Sequence, residues 1–324
     1  MKIHKCLHLF IIFCLLLSVS SCSKNQKVAE RYVRIAIQPS AAFIPLYAVR
    51  YSGVLEKELA SKKVQVIWQD FESGPPMNES LSADLSDIGV IGDVPTVLAL
   101  SNSTRMKLVG VPARGPNAYA VLASKNNKLV NNFSDLKGKR VATTFGSTGH
   151  NFTKKLLGEA KLSFSDIEFL NINASSAENA LSSGLADAVV IWEPNVTRMV
   201  DGGVAKIIAQ GEATNLKGVN GFVVREEYLA DNDDVIACIL KNYDLAAKNI
   251  YSQSPQVISK IAQVLSLNET QVLNICKKYD YSCAITPEDI KALQDTVSFL
   301  VSINNLPREY RVEDFVDNSF FMDY

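Results

Sequence analysis

Histidine is almost missing from this chain: 324 residues hold three, and two of those, His4 and His8, fall at the very start. His150 is then the one imidazole in the remaining sequence, too little material for a His-dependent triad or a His-rich metal centre. Long basic runs are missing as well. With a formal net charge of −1 and no extended cluster of Lys or Arg, nothing would track a phosphate backbone, and nucleic acid is set aside as a partner. Nor is there a Gly-x-Ser-x-Gly elbow or a Gly-x-Gly-x-x-Gly fingerprint. No two acids pair in a way that suggests glycosidase-type chemistry. No cofactor and no metal is indicated, and an enzyme is not expected.

One long apolar run stands out, from Leu7 to Leu17, behind Met1-Lys2-Ile3-His4-Lys5 and ahead of Val19-Ser20-Ser21-Cys22. A basic start, an apolar stretch short for a membrane span and a small-residue site are the parts of an export signal, assigned to residues 1–21. Val-Ser-Ser-Cys resembles the bacterial lipobox, in which the Cys becomes the first mature residue and is acylated. Cys22 is thus the expected lipidation site and residues 22–32 a tether, holding the exported protein at a bacterial membrane, in the periplasm or at the cell surface. Each buried methylene of an acyl chain contributes about 0.8 kcal/mol to such anchoring. The alternative is an ordinary signal with an incidental Cys. Six cysteines reduce to Cys238, Cys276 and Cys283, with no metal-ligand spacing. A Cys276–Cys283 disulfide and a pair of core thiols are both open. Loss of Lys2 and Lys5 takes the formal charge from −1 to −3, so any anion site must be local.

From Val33 onward, short β-rich runs alternate with helical segments, which is α/β organisation with parallel strands. Strands are predicted at Val33–Ile37, Val64–Trp68, Asp87–Ile91 and Lys107–Val111, with a helix over Ala42–Leu59. A second set follows with strands at Lys139–Thr143, Ile167–Asn171, Ala188–Trp192 and Lys206–Ala209. After Phe222–Arg225 the chain turns helical, over Asp233–Ser252, Ser254–Ser266 and Thr270–Lys278. The expected architecture is two doubly wound α/β lobes with a helical C-terminal tail. Lobe one comprises 33–115 plus 222–324 and lobe two 116–221, with crossings near Pro116–Ala120 and Val219–Phe222 that form a hinge over a cleft. No internal repeat is evident, and a monomer is expected.

In open α/β sheets a ligand sits at the carboxyl ends of the strands, where helix starts present N–H groups with a partial positive charge. Candidate junctions are Gln38-Pro39-Ser40, Gly92-Asp93-Val94-Pro95, Gly146-Ser147-Thr148-Gly149-His150 and Trp192-Glu193-Pro194. Ser147 and Thr148 supply hydroxyls at a helix start suited to a sulfonate, phosphate or carboxylate; an ordinary N-cap reads the same. His150 is a candidate donor to an anion or a structural hydrogen-bonding group. Trp192 is a pocket wall or core, and Glu193 a partner for a cationic amine or a first-turn acid. Asp93 is a ligand group or a cap. Arg114, between Pro112 and Gly115-Pro116, is a fixed cation near the cleft or an exposed loop side chain. Asn220 reaches the solute from the hinge or simply turns the chain before Gly221.

Taken in order, Ile35-Ala36-Ile37-Gln38, Gly92-Asp93-Val94-Pro95, Asp135-Leu136-Lys137-Gly138-Lys139-Arg140-Val141-Ala142, Gly146-Ser147-Thr148-Gly149-His150-Asn151 and Trp192-Glu193-Pro194 resemble the substrate-binding proteins of ABC importers for sulfonates, taurine and nitrate, with the type II periplasmic binding fold. The likeness runs from about Val33 to Arg225. It implies that Gln38, the Gly92-Asp93 turn, Ser147, Thr148, His150 and Trp192-Glu193 face the cleft, that the solute is a small anion, and that ABC permease subunits are partners. Sulfonate binders often carry Gly-Glu or Gly-Ser where this chain has Gly92-Asp93. The same family includes binders of thiamine and riboflavin precursors and of aromatic carboxylates. A related fold serves an enzyme of thiamine-pyrimidine synthesis, and a ligand-sensing module would share these features.

Overall fold

The computed structural model describes residues 31–102 and 105–321; the expected leader and the Cys22 tether site lie outside them. Runs of Val, Ile and Ala, covered by helices on both faces, make buried inner strands, while Val64–Asp70, Glu168–Asn171 and Ala205–Gln210 stay partly exposed. Among the described residues the strands are β1 (Arg31–Ile37), β2 (Val64–Asp70), β3 (Ile88–Ile91), β4 (Met106–Gly110), β5 (Tyr119–Ser124), β6 (Arg140–Thr143), β7 (Glu168–Asn171), β8 (Ala188–Trp192), β9 (Ala205–Gln210) and β10 (Gly221–Arg225). They form two five-stranded sheets, ordered β2-β1-β3-β10-β4 and β7-β6-β8-β5-β9, each the centre of one lobe.

The sheets are mixed, not purely parallel as expected from the alternating pattern. β1 runs parallel to β2 and β3, and β6 parallel to β7 and β8. β10 is antiparallel to β3 and β4, and β5 antiparallel to β8 and β9. The reason is topological. A strand entering a lobe from the cleft starts where the parallel strands end, so it must run against them. β5 enters lobe two in this way, and β10 re-enters lobe one.

The two sheet orders correspond position by position, although no repeat is evident in the sequence. Asp87 precedes β3 and Asp187 precedes β8, and each clasps an arginine of the neighbouring strand. Asp87 accepts from the Arg34 backbone N–H at 2.7 Å and from its guanidinium. Asp187 does the same with Arg140, the backbone bond being 2.9 Å. Gly92-Asp93 and Trp192-Glu193 therefore leave equivalent strands and meet at the cleft.

Helices are set by their ends. The helix predicted over Ala42–Leu59 is broken at Gly53, whose φ of +68° suits glycine, into Ile44–Ser52 and Val54–Ser61. Asp233–Lys248 and Pro255–Leu265 pack their apolar faces on Ile44–Ser52. A further helix, Pro287–Ser302, was not expected. Thr286 and Asp289 close a capping box at its start, and it packs on the helix Asp93–Leu100. Cys238, Cys276 and Cys283 are free buried thiols, so Cys276 and Cys283 are core residues and not a disulfide; burial pushes the Cys276 thiol up to about 11.

At the hinge the two crossings are bonded to each other, Asn220 N–H to the Ala113 carbonyl at 2.9 Å and Gly115 N–H to the Gly218 carbonyl at 3.3 Å. Arg114 is a strut here and not a free cation. Its guanidinium donates to Asp289 Oδ1 at 2.6 Å and to the carbonyls of Ser282 and Ala284 at 2.6 and 2.7 Å, which occupies its donors in tying the hinge to the tail.

Candidate functional site

Four helical starts converge on the cleft floor. Ser40 caps the short 3-10 turn Ala41–Phe43, its Oγ accepting from Ala42 N–H. Gly74 opens the helix Gly74–Ser82, and Gly92 precedes Asp93–Leu100. Ser147 caps Thr148–Glu159, accepting from His150 N–H at 3.4 Å while donating to the Thr144 carbonyl at 2.6 Å. First-turn N–H groups have no carbonyl behind them, and the helix dipole adds partial positive charge at that end. Gly92 is required by closeness: a Cβ there would lie 2.6 Å from Thr148 Oγ1 of the other lobe.

These starts border a pocket of about 310 Å³, open mouth included, completed by Gln38, Pro95, Tyr119, Trp192 and Asn220. Tyr119 and Trp192 are buried walls. The Tyr119 hydroxyl is pushed up by burial, and Tyr119 lines the pocket beside Thr148 and Asn220. Gln38 Oε1 is buried without a hydrogen-bond partner. An unpaired buried amide oxygen beside helix starts is the kind of group a ligand satisfies. Ser40, Ser147, Thr148, Gln38, Gly92, Trp192 and Asn220 are thus brought together.

Three of the predicted residues turn away, for nearby reasons. Asp93 begins its helix and points behind the pocket: Oδ1 accepts from Val94 N–H at 2.7 Å, and Oδ2 from Asn151 Nδ2 at 2.9 Å and Thr296 Oγ1 at 3.4 Å. Burial raises its pKa despite these bonds. His150 sits among the rings of Phe145, Phe164, Phe169 and Phe299, with centroids 4.7 to 5.5 Å away. Burial lowers its pKa to about 4, so at neutral pH it brings no positive charge to an anion. Glu193 is fully buried and committed to Lys278 Nζ at 2.6 Å and to Thr197 N–H at 3.0 Å and Oγ1 at 2.9 Å. Its carboxylate is not offered to a solute amine. With Arg114 also engaged, no charged side chain among the described residues lines the pocket.

Sequence reasoning did not single out Tyr119 or Gly74, and it named Pro95 only as part of the Gly92-Asp93-Val94-Pro95 junction. Gly74 and Pro95 carried a signal, since each belongs to a Gly/Pro-marked helix start. Tyr119 carried none beyond its place at a predicted crossing. The lobes touch across the cleft through Asn151 to Asp93, Ala41 N–H to the Glu193 carbonyl at 3.3 Å, and Ser175 to Glu72, so the cleft is closed.

Two hinged α/β lobes closing over a small pocket are the periplasmic-binding-protein architecture. The model of the NMT1/THI5-like family matches residues 77–256, more than half the chain, and the protein belongs to that family. Over 317 residues, 96% of this chain and 95% of the relative, it is 27% identical to a putative aliphatic sulfonates-binding protein of Bacillus subtilis (strain 168). It is 24% identical over 290 residues to the taurine-binding periplasmic protein of Escherichia coli (strain K12), covering 85% of this chain and 88% of that one. Among solved structures, the alkanesulfonate-binding protein SsuA of Xanthomonas axonopodis pv. citri, bound to MOPS, superposes with a TM-score of 0.79 at 27% identity, covering 88% of this chain and 98% of that one.

Proposed function

We propose that this protein is the extracytoplasmic solute receptor of an ABC importer, taking an alkanesulfonate-like anion into the interlobe pocket and presenting the closed form to permease subunits. The observation that carries the reading is the pocket's composition: helix starts and hydroxyls supply donors for a singly charged head, and among the described residues no side chain of either sign lines the walls. The Gln38 amide completes the cradle, because rotation of an amide presents either oxygen or N–H to the ligand. Tyr119, Trp192 and Pro95 offer apolar surface to a short organic group. Capture is reversible and involves no covalent chemistry. The Val19-Ser20-Ser21-Cys22 motif supports acylation of Cys22 and residence at a membrane surface. The relatives' names support the sulfonate class, and Glu193, turned to Lys278, argues against a zwitterion such as taurine.

Isothermal titration tests this directly. Ethanesulfonate should bind, and taurine, with the same head and an added ammonium, should bind at least about tenfold more weakly, since an ammonium buried without a carboxylate costs more than about 1.4 kcal/mol. Loss of ethanesulfonate binding in Ser147→Ala/Thr148→Ala would support the cradle. Equal or tighter binding of taurine would sink the uncharged-pocket argument, and heat only from neutral heterocycles would remove the anion altogether.

A further inference from the structure

Directly behind the pocket lies a polar cluster that the solute does not reach. Asn151, on the helix Thr148–Glu159 of lobe two, donates from Nδ2 to Asp93 Oδ2 at 2.9 Å and contacts Thr296 Oγ1 at 3.2 Å, both on lobe one. Asn151, Asp93 and Thr296 are 1%, 4% and 2% exposed. Beyond them a small chamber is bordered by Lys155, Asn215, Lys217 and Asp295, with Lys155 donating to Asn215 Oδ1 at 2.8 Å.

We infer that Asn151 is the latch of the closed state, a positioning residue whose amide holds the Thr148–Glu159 helix start against the pocket by bonding the buried Asp93 carboxylate and the Thr296 hydroxyl across the cleft. The inference rests on the solute-capture reading above. Its support is geometric. Asn151 lies one turn beyond Ser147 and Thr148, on the same helix face, so whatever fixes one fixes the other. Asp93 follows Gly92, the residue that lets Thr148 come close. The bond joins two buried groups on opposite lobes, and it exists only with the lobes together. On opening, Asp93 and Asn151 separate. The latch therefore adds to the population of the closed form alone and leaves each lobe's own folding untouched. It touches no solute, so its loss weakens every solute by one common factor, whereas a change in the pocket wall discriminates among them.

The test uses the purified protein as Asn151→Asp, as Asn151→Ala and as the double variant Asp93→Asn/Asn151→Asp. The first sets two carboxylates against each other, and the double variant restores one donor and one carboxylate with their places exchanged. Small-angle scattering is recorded with and without ethanesulfonate, together with dissociation rates and ligand-free melting. Asn151→Asp should expand the molecule and raise the dissociation rate at least about tenfold, in the range that breaking a desolvated charged hydrogen bond produces. Asn151→Ala should show a smaller change in the same direction, and the double variant should return to within about threefold of wild type. Ligand-free melting should hold in all three. A scattering curve and dissociation rate unchanged in Asn151→Asp overturn the latch. A folded double variant that fails to recover overturns it too, as does a drop in ligand-free melting as large as the loss of binding, which would mark Asn151 as an ordinary core group. Should wild type ignore ethanesulfonate, the solute reading falls by itself, and the ligand-free scattering series still decides the latch.

Discussion

Lobe one and lobe two carry the same clasp in the same place, yet in different surroundings. Asp87 is 1% exposed at its side chain and is shared by Arg34 and Arg225, with Asp84 bonded to both arginines. Burial pushes the Asp87 carboxyl up, but the two guanidinium groups more than offset this and hold it below the usual carboxylate range. Asp187 is 26% exposed and has Arg140 alone, which holds it low with less burial to overcome. Arg225 makes the difference. It stands at the end of β10, the strand that returns from lobe two, so the buried network forms only once the chain has come back. Lobe one is pinned by a residue remote in sequence, whereas lobe two closes its clasp over 47 positions of its own chain.

Breaking the buried side of this comparison should give the largest effect. Asp87→Ala leaves Arg34 and Arg225 with only the more exposed Asp84 between them and is expected to cost about 3 kcal/mol, toward the low end for a broken buried pair, read as a fall in the urea midpoint. Arg225→Ala leaves Asp87 with one partner and should cost about 2 kcal/mol, within the range for a lost charged hydrogen bond. Asp187→Ala should cost about 1 kcal/mol, near the value for solvated pairs. Equal losses for Asp87→Ala and Asp187→Ala would mean that burial is not what separates the lobes. A pH series sharpens the contrast in a different way. The folded-state pKa of His150 is about 4 against an ordinary 6.5, so the unfolded chain takes up the proton first. Its contribution is complete above pH 6.5, falls across the window from 6.5 to about 4, and is flat below that. Asp93, raised by burial, works in the opposite sense, so the quantity to follow is the melting difference between wild type and His150→Phe. That difference should shift in favour of the variant as pH drops through the window and should stay constant above it.

Much of this was legible in the chain. β-branched runs ending in Gly, Ser or Pro located the inner strands and the helix starts after them, and those junctions hold most of the pocket. What escaped was the direction of the residue just inside each helix. Asp93, His150 and Glu193 sit within two or three positions of true pocket residues, but the helical turn rotates them away, and the groups that receive them come from afar. Thr296 and Phe299 lie on the unpredicted helix Pro287–Ser302, and Lys278 lies in the tail beyond the family likeness. Thr286-Pro287-Glu288-Asp289 is a readable capping signature, so that helix was available to local reasoning even though its contacts were not. The matching lobes were veiled for another reason: Asp87-Ile88-Gly89-Val90-Ile91 and Asp187-Ala188-Val189-Val190-Ile191 share their pattern, but the strand each crossing inserts stands at a different point in the chain order.

A cradle made of peptide N–H groups, hydroxyls and an amide has a consequence for the cell that carries it. None of those groups gains or loses a proton near neutrality, and none is a mobile ion that dissolved salt can mask. Wherever the fold itself persists, such a cradle offers a solute the same partial charges at one pH as at another.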